Sequence, residues 1–286
     1  MNAAMARRAT RGLGVVRASA IAFGLLAVVA WVQVLAGGNS GVNDLFHGDT
    51  WRRAGGFAGD LIGLGTEGAP AFLDGASWRH AIGLSVETLA MSVLAAGIAG
   101  TAALVSFLPA ARNVAYGELG GSRRVIGVPG FVALRVLFAF TRGVPELVWA
   151  LLLVFVFSPG VLAGALALAI HNYGILGKLS SEVVENMDTR PARALRGAGA
   201  GSFQVVLYGV LPQALPQLLT YLLYRWEVII RTTVVVGFVA AGGLGREFRI
   251  QMSYLHYDDV ALLLICYLIL VVGVDLVSAG LRRLAR

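Results

Sequence analysis

Charged side chains set inside apolar sequence are the first residues here that could do chemistry. Arg225, Glu227 and Arg231 interrupt the apolar run from Val205 to Ala241, and Asp275 interrupts the one from Val260 to Leu281. Glu87, Arg142 and Glu146 stand at or near the ends of two more. A charge in hydrocarbon costs roughly 2.5 to 3.5 kcal/mol on insertion scales unless it is paired or wetted. Glu227 and Arg231, four apart, share a helix face and can pair within their own helix. Arg225 is two residues from Glu227, about 200° around that helix, and must find a carboxylate, a carbonyl or water elsewhere; Glu87 and Glu146 are the candidates. Two readings follow. Some of Arg142, Arg225 and Arg231 line an aqueous passage and favour an anion, since guanidinium donors match oxyanions in geometry and charge; or the charges form an ion-pair network that holds helices in register.

Other chemistries fail their spacing tests. Gly177-Lys178 invites comparison with a phosphate loop, but Leu179 follows where Ser or Thr must hold magnesium, and Asn172 stands where the first glycine belongs. Gly197-Ala198-Gly199-Ala200-Gly201 lacks the third dinucleotide glycine and follows no strand. No HExxH or GxSxG motif and no acid pair in a catalytic setting is present. The lone Cys266 lies in an apolar run, which excludes an internal disulfide and a Cys-built metal site and makes it a packing residue. His171 and Asn172 lie toward the inner end of an apolar stretch, and His171 reads as a packed, hydrogen-bonded histidine rather than a gate or proton carrier. The chain itself therefore needs no metal or cofactor, and any energy source is another chain or an ion gradient.

The elements that must position these residues are membrane helices. The 286 residues are 57% hydrophobic and only 14% charged, against about 25% charged in soluble domains. The net charge of +7 comes almost wholly from arginines scattered between apolar runs, without the aromatic-basic stripe of a nucleic-acid binder. About 20 apolar residues cross a bilayer, and Lys/Arg excess marks the cytosolic side. Ala18 to Gly37 follows Arg7, Arg8, Arg11 and Arg17 and reads as an uncleaved first helix with a cytosolic N-terminus. The acid-rich segment from Gly38 to Arg79 is an outside loop, with a short helix over Trp51 to Leu64. Thr88 to Leu108 returns to a loop holding Arg112, Arg123 and Arg124 against Glu118. Gly130 to Phe157, about 42 Å as helix against a ~30 Å core, is too long for one upright span, so its first part lies along the inner surface and Pro145 bends the chain.

Ser158-Pro159-Gly160 turns outside, and Val161 to Leu176 leads back to a polar inner segment, Lys178 to Gln204. The run from Val205 to Ala241 carries Pro212 and Pro216, and the glycines at 242, 243 and 245 make its outer turn or, on a sharper reading, an outer gate. Val260 to Leu281 closes the series before Arg282, Arg283 and Arg286. Asp275 there is placed to reach Arg282 or water, and Gly160 with Gly164 gives only a weak GxxxG packing signal. The expectation is an all-α integral membrane bundle of about six transmembrane helices with both termini cytosolic. It divides into an anchor helix with an outer loop over 1–80 and a core over 81–286.

Arg193 to Pro212 reads Arg-Ala-Leu-x3-Gly-x9-Gly-Val-Leu-Pro. It resembles the inner-membrane permeases of binding-protein-dependent ABC importers, whose signature loop runs Glu-Ala-Ala-x3-Gly-x9-Ile-x-Leu-Pro. Ala194, Gly199, Leu211 and Pro212 match; Arg193 replaces the family glutamate, Leu195 the second alanine and Gly209 the isoleucine. Three further stretches, Arg142 to Leu151, Leu166 to Leu179, and Tyr224 to Gly245, are similar to the phosphonate permease branch of the methionine-importer-type fold. The resemblance covers roughly Ser85 to Arg283.

It implies a type I ABC importer architecture in the bacterial cytoplasmic membrane: a permease dimer, homomeric or with a sister chain, two cytosolic ATPases holding ATP and magnesium, and an extracytoplasmic binding protein delivering a phosphonate, phosphate or related oxyanion. The segment near 188–204 becomes the coupling loop, with Arg193, Ala194, Leu195, Ala198, Gly199, Ser202, Leu211 and Pro212 as its residues. Glu87, Arg142, Glu146, Arg225, Glu227 and Arg231 are the candidates for the translocation path. The alternative is a self-contained ion-coupled transporter or channel for a small anion, with Glu87, Glu227 or Asp275 as proton site, although no paired inverted halves are detectable.

Overall fold

The structure, a computed structural model, describes residues 3–36, 41–65, 69–117 and 127–284, apart from the side chains of 3–13, 43, 45, 240 and 241. Glu118, Arg123 and Arg124, which set the side of the second turn, lie outside the described residues, as do Gly38, Glu67, Arg286 and the side chains of Arg7, Arg8 and Arg11. Every regular element among the described residues is helical. Among the described residues four helices are long and apolar enough to cross a membrane, and two bent pairs bring the number up to six if each is one span.

The chain forms two compact units, Met1–Asp60 and Leu61–Arg286. In the first, α1 (Ala3–Ala36) carries the apolar stretch Gly14–Ala36, none of it buried against protein; 23 residues make about 35 Å of helix, enough for the hydrocarbon layer. α2 (Gly48–Leu61) opens with Asp49, which pairs with Arg52 at 2.8 Å one turn on.

The second unit is a bundle around α7 (Val161–Asn186), which touches α3 (Gly75–Ser106), α5 (Gly127–Gly143), α6 (Glu146–Phe157) and α10 (Leu211–Val236). Its buried positions run nearly all round the helix, as befits a central element. α3 presents Thr88, Ser92, Ala95, Ala99, Ala103 and Ser106, spaced three or four apart, toward the interior. Such small residues let backbones approach where lipid offers no hydrophobic drive. α3 begins 13 residues before the expected span, because Arg79 and Glu87 are good helix formers even where they are poor membrane residues. Asp74 caps it, accepting from the Ser77 backbone N–H at 2.9 Å. α7 likewise runs on past Leu176 to Asn186, with Lys178 and Glu182 paired at 3.3 Å.

α5 and α6 meet at 92° across Val144 and Pro145. Proline lacks the N–H that would continue α5 and forces its predecessor out of helical geometry. Trp149 Nε1 donates across the bend to Thr141 O at 3.1 Å, and its ring meets Phe140 edge-on. The second bend follows α10. A π turn, Gly237–Ala241, leads through Gly242 into α11 (Gly243–Ser253), and α12 (Tyr257–Leu284) completes the bundle. Gly242 and Gly243 have φ of 101° and 62°, and a Cβ on Gly243 would sit 2.5 Å from Thr88 Oγ1. These glycines make a turn.

Candidate functional site

The segment expected to couple is built from three short pieces joined to α10. α8 (Arg190–Gly197) follows Asp188, whose carboxylate accepts the Arg190 N–H at 2.9 Å. Ala192 is buried and Leu195 partly so, against Val183 and Val184 of α7 and Val205 and Val210 of the following turn. Arg193 and Ala194 face outward. Gly199, with φ 86°, stops the helix: its N–H bonds Arg196 O at 2.9 Å and the Ala200 N–H bonds Leu195 O at 3.0 Å, the crossed pair of a Schellman motif. Arg196 donates to Ser202 Oγ at 3.1 Å across that turn.

α9 (Ser202–Val205) starts after Gly201, whose N–H donates to Gln204 Oε1 at 2.9 Å. It runs through a π turn, Val206–Val210, into α10 at Leu211. Pro212 has no N–H to return to Tyr208 O, a local cause for the widened turn. Gly209 lies where a Cβ would be 3.1 Å from the Leu195 side chain and 3.2 Å from Ala192 Cα, so glycine in place of the family isoleucine lets α8 sit down on this turn. The eight residues expected to couple thus lie on one continuous stretch, with Phe203 76% and Tyr208 66% exposed beside the basic face of α8.

The six residues expected along a path fall into three groups. Arg142 and Glu146 flank the α5–α6 bend beside α7, and Arg225 reaches the middle of α7 from α10. Asn172 is buried; its Nδ2 donates to Leu168 O at 2.7 Å, which turns Oδ1 toward Arg225, and Arg225 donates to that oxygen from Nε at 2.9 Å and from a terminal nitrogen at 2.5 Å. His171 Nδ1 lies 2.9 Å from Val144 O and must be the donor, since a carbonyl only accepts; its Nε2 is 3.6 Å from Glu146. The Arg142 backbone lies against Gly174, where a Cβ would come 2.9 Å from Arg142 N. The acceptor Arg225 finds is a carbonyl, the side-chain amide oxygen of Asn172, because the 200° offset turns it toward α7; of the two candidate carboxylates Glu146 is near enough to act on its charge, and Glu87 is engaged elsewhere.

Glu227 and Arg231 form the second group and do not pair with each other. Glu227 pairs with Arg282, and Arg231 donates to both oxygens of Asp275 at 2.9 and 2.7 Å. Both partners belong to α12. Asp275 therefore meets Arg231 rather than Arg282 or water alone. α12 outcompetes the intrahelical geometry because it runs antiparallel to α10 with its charges in complementary order. In α12 an acid at 275 and a base at 282, two turns apart, face a base at 231 and an acid at 227 in α10. Glu87 stands alone as the third group, its carboxylate accepting the Gly243 N–H at 3.2 Å while Thr88 Oγ1 accepts the Leu244 N–H at 2.9 Å. A carboxylate at a helix N-terminus complements the free N–H groups there. A residue that sequence reasoning missed is Arg135, which pairs with Glu185 and donates to Ala110 O at 3.0 Å.

Comparison with known proteins adds the family. The model of the binding-protein-dependent transport system inner membrane component matches residues 120–286. The chain is 36% identical over 264 residues, 92% of its length and 87% of the relative's, to the phosphite transport system permease protein PtxC of Stutzerimonas stutzeri. It is 34% identical over 202 residues, 70% of its own length but 36% of the relative's, to the phosphate-import permease protein PhnE of Mycolicibacterium smegmatis. Among solved structures, an inward-facing form of the MetNI methionine ABC transporter superposes with a TM-score of 0.58 over 72% of this chain and 95% of that one, at 22% identity, a likeness of fold.

Proposed function

The chain belongs to the binding-protein-dependent transport system inner membrane components, and from that membership we propose that it is the membrane-spanning permease of an ATP-driven importer for phosphite, phosphate, phosphonate or a related oxyanion. The relatives named for phosphite and phosphate transport support the substrate class. ATP and magnesium bind a separate ATPase, two copies of which serve a permease dimer, homomeric or mixed. An extracytoplasmic binding protein delivers the anion, and both termini of the chain lie in the cytosol of a bacterial cell.

The observation that carries this reading is the handle. α8 is fixed to the bundle by Ala192 and Leu195, stopped by Gly199 and continuous through Leu211 and Pro212 with α10, which holds Arg225, Glu227 and Arg231. A pull on Arg193, Ala194, Ala198 or Ser202 is therefore transmitted to the charged centre. Such a two-state element, biased by an outside motor, is what alternating access needs. Glu87, Arg142, Glu146, Arg225, Glu227 and Arg231 border the path, with Glu227 and Arg231 fixing α10 against α12 and Glu87 holding the start of α11. The test is crosslinking of Ala198→Cys or Ser202→Cys to a coexpressed ATPase in membranes. Crosslinks whose yield changes with ATP are expected; their absence at both positions, or oxyanion uptake by the permease alone under an ion gradient, overturns the proposal.

A further inference from the structure

Arg135 of α5 stands outside every motif in the sequence, yet it holds three elements together. Its guanidinium pairs with the Glu185 carboxylate near the end of α7 and donates from Nε to Ala110 O at 3.0 Å, in the link that follows α3. The same Glu185 oxygen accepts the Arg112 N–H at 2.6 Å, where α4 (Arg112–Ala115) opens. Asn113, buried in that turn, donates to Val184 O at 2.6 Å. The Arg135 and Glu185 side chains are only 24% and 23% exposed, so salt screens this pair less than one on an open surface.

The place of this contact matters because of its neighbour in the chain. Val184, next to Glu185, shares a buried cluster with Ala192 and Leu195, the residues that fix α8 to the bundle. A shift of α8 therefore bears directly on the end of α7. α5 packs chiefly on α7 and on α4. Its middle is pressed against Gly174 and Gly177 through Phe138, and past its outer end Val144 O accepts from His171 Nδ1 of α7. Arg135 and Glu185 supply the hold at the inner end. A rod fastened at both ends follows the helix beneath it, whereas one freed at its inner end lets α7 tilt without it.

We propose that Glu185 is a positioning residue for coupling: with Arg135 it fastens the inner end of α5 to the end of α7, so that a pull on α8 carries α5 and the α5–α6 bend along with α7. The inference rests on the permease reading. It gives the pull a second course beside the one that runs from α8 through Val210 and Leu211 into α10. The charge on Glu185 is what the role needs. A neutral amide there would still accept the Arg112 N–H, but it would hold Arg135 by an ordinary hydrogen bond, roughly half as strong as a charge-assisted one.

The experiment uses the full complex of permease, ATPase and binding protein in proteoliposomes, and measures uptake of phosphite and phosphate beside ATP hydrolysis for wild type, Glu185→Gln, Arg135→Gln and Arg135→Lys. The readout is the number of anions imported per ATP hydrolysed, because a loss of stability lowers uptake and hydrolysis together and leaves their ratio alone. Glu185→Gln and Arg135→Gln should each keep most of the ATP hydrolysis and lower the ratio about tenfold, within the usual range for coupling between separate sites. The double variant should be no worse than either single, since both changes break one contact; additive losses would mean two independent contacts and overturn this role. Arg135→Lys, which keeps the charge opposite Glu185, should recover most of the ratio. The ATP-sensitive crosslink at Ser202→Cys should survive in every variant, since the ATPase still grips α8. An unchanged ratio in both single variants overturns the role, and so does failure of both to assemble, which would make the contact structural; should only one fail to assemble, the other decides. Wild type that lacks the crosslink or imports neither anion overturns the permease reading and this inference with it, whereas coupled wild type with unaffected variants overturns this inference alone.

Discussion

Glu227 and Arg282 form the most protected of the ion pairs between α10 and α12, with side chains 14% and 15% exposed. Arg282 also donates to Ser278 Oγ at 2.6 Å and lies 4.2 Å over the Tyr224 ring, so its charge is met on three sides. Removing one member of such a pair leaves the other buried and unmatched, at a cost of about 3 to 5 kcal/mol, while removing both is far milder. Glu227→Ala is therefore expected to lower the thermal unfolding midpoint of the detergent-solubilised protein more than Glu227→Ala with Arg282→Leu. A double variant worse than the single would mean that the two side chains act independently. The same residues mark the limit of sequence reasoning at this scale. That Arg225 faces away from Glu227 follows from helical geometry alone, and it does. Which partner each charge finds does not follow, since an i,i+4 pair and an interhelical pair satisfy the same local pattern until α12 is set antiparallel beside α10.

Between elements, glycines set a close approach at the α5–α7 crossing. A Cβ on Gly177 would strike the ring of Phe138, and one on Gly174 would come 2.6 Å from Phe138 O, a backbone atom. A ring can move and a carbonyl cannot, so the two glycines should respond differently. Gly177→Ala is expected to destabilise by about 1 to 3 kcal/mol, as overpacked cores do, and to be relieved by Phe138→Leu; Gly174→Ala should be as harmful and gain nothing from that second change. Thermal unfolding of the four variants decides it, and equal rescue of both would refute the crossing geometry. The cap of α3 gives a pH test. The Ser77 backbone N–H, followed by its hydroxyl, holds the Asp74 carboxyl below its usual range. Its stabilising effect is therefore full above about pH 4 and is lost as pH falls through the lowered value. Asp74→Ser, which keeps an acceptor but no titrating group, should remove the acid-induced loss of hydrogen-exchange protection at Trp78. Hydropathy made the helix interiors legible, and Pro145 made the α5–α6 bend legible. Helix ends were not, because α3 and α7 extend beyond their apolar stretches on residues that favour helix while disfavouring lipid.

Across the second unit the two ends of the bundle differ in chemistry. One gathers the close of α3, the end of α7, α8 and the start of α10 around Phe107, Val184, Ala192 and Ala214. The other gathers the start of α3, α11 and the start of α12 around Ala81, Leu244, Phe248 and Leu262. Arg190, Arg193 and Arg196 belong to the first end, while Asp258 and Asp259 belong to the second. Basic segments stay on the cytosolic side of a membrane, so the handle and its arginines should face the cytosol and the α11–α12 turn the exterior. Ser202 and Ser253 are exposed at these opposite ends, and serine to cysteine is a small change. The native Cys266 is buried and should stay silent. In intact cells a membrane-impermeant maleimide should therefore label Ser253→Cys directly and Ser202→Cys only after the membrane is opened. Labelling of both from outside would place α8 beyond the reach of any cytosolic ATPase. The reversed pattern would turn the bundle over, and the motor's pull would then have no route to Arg225.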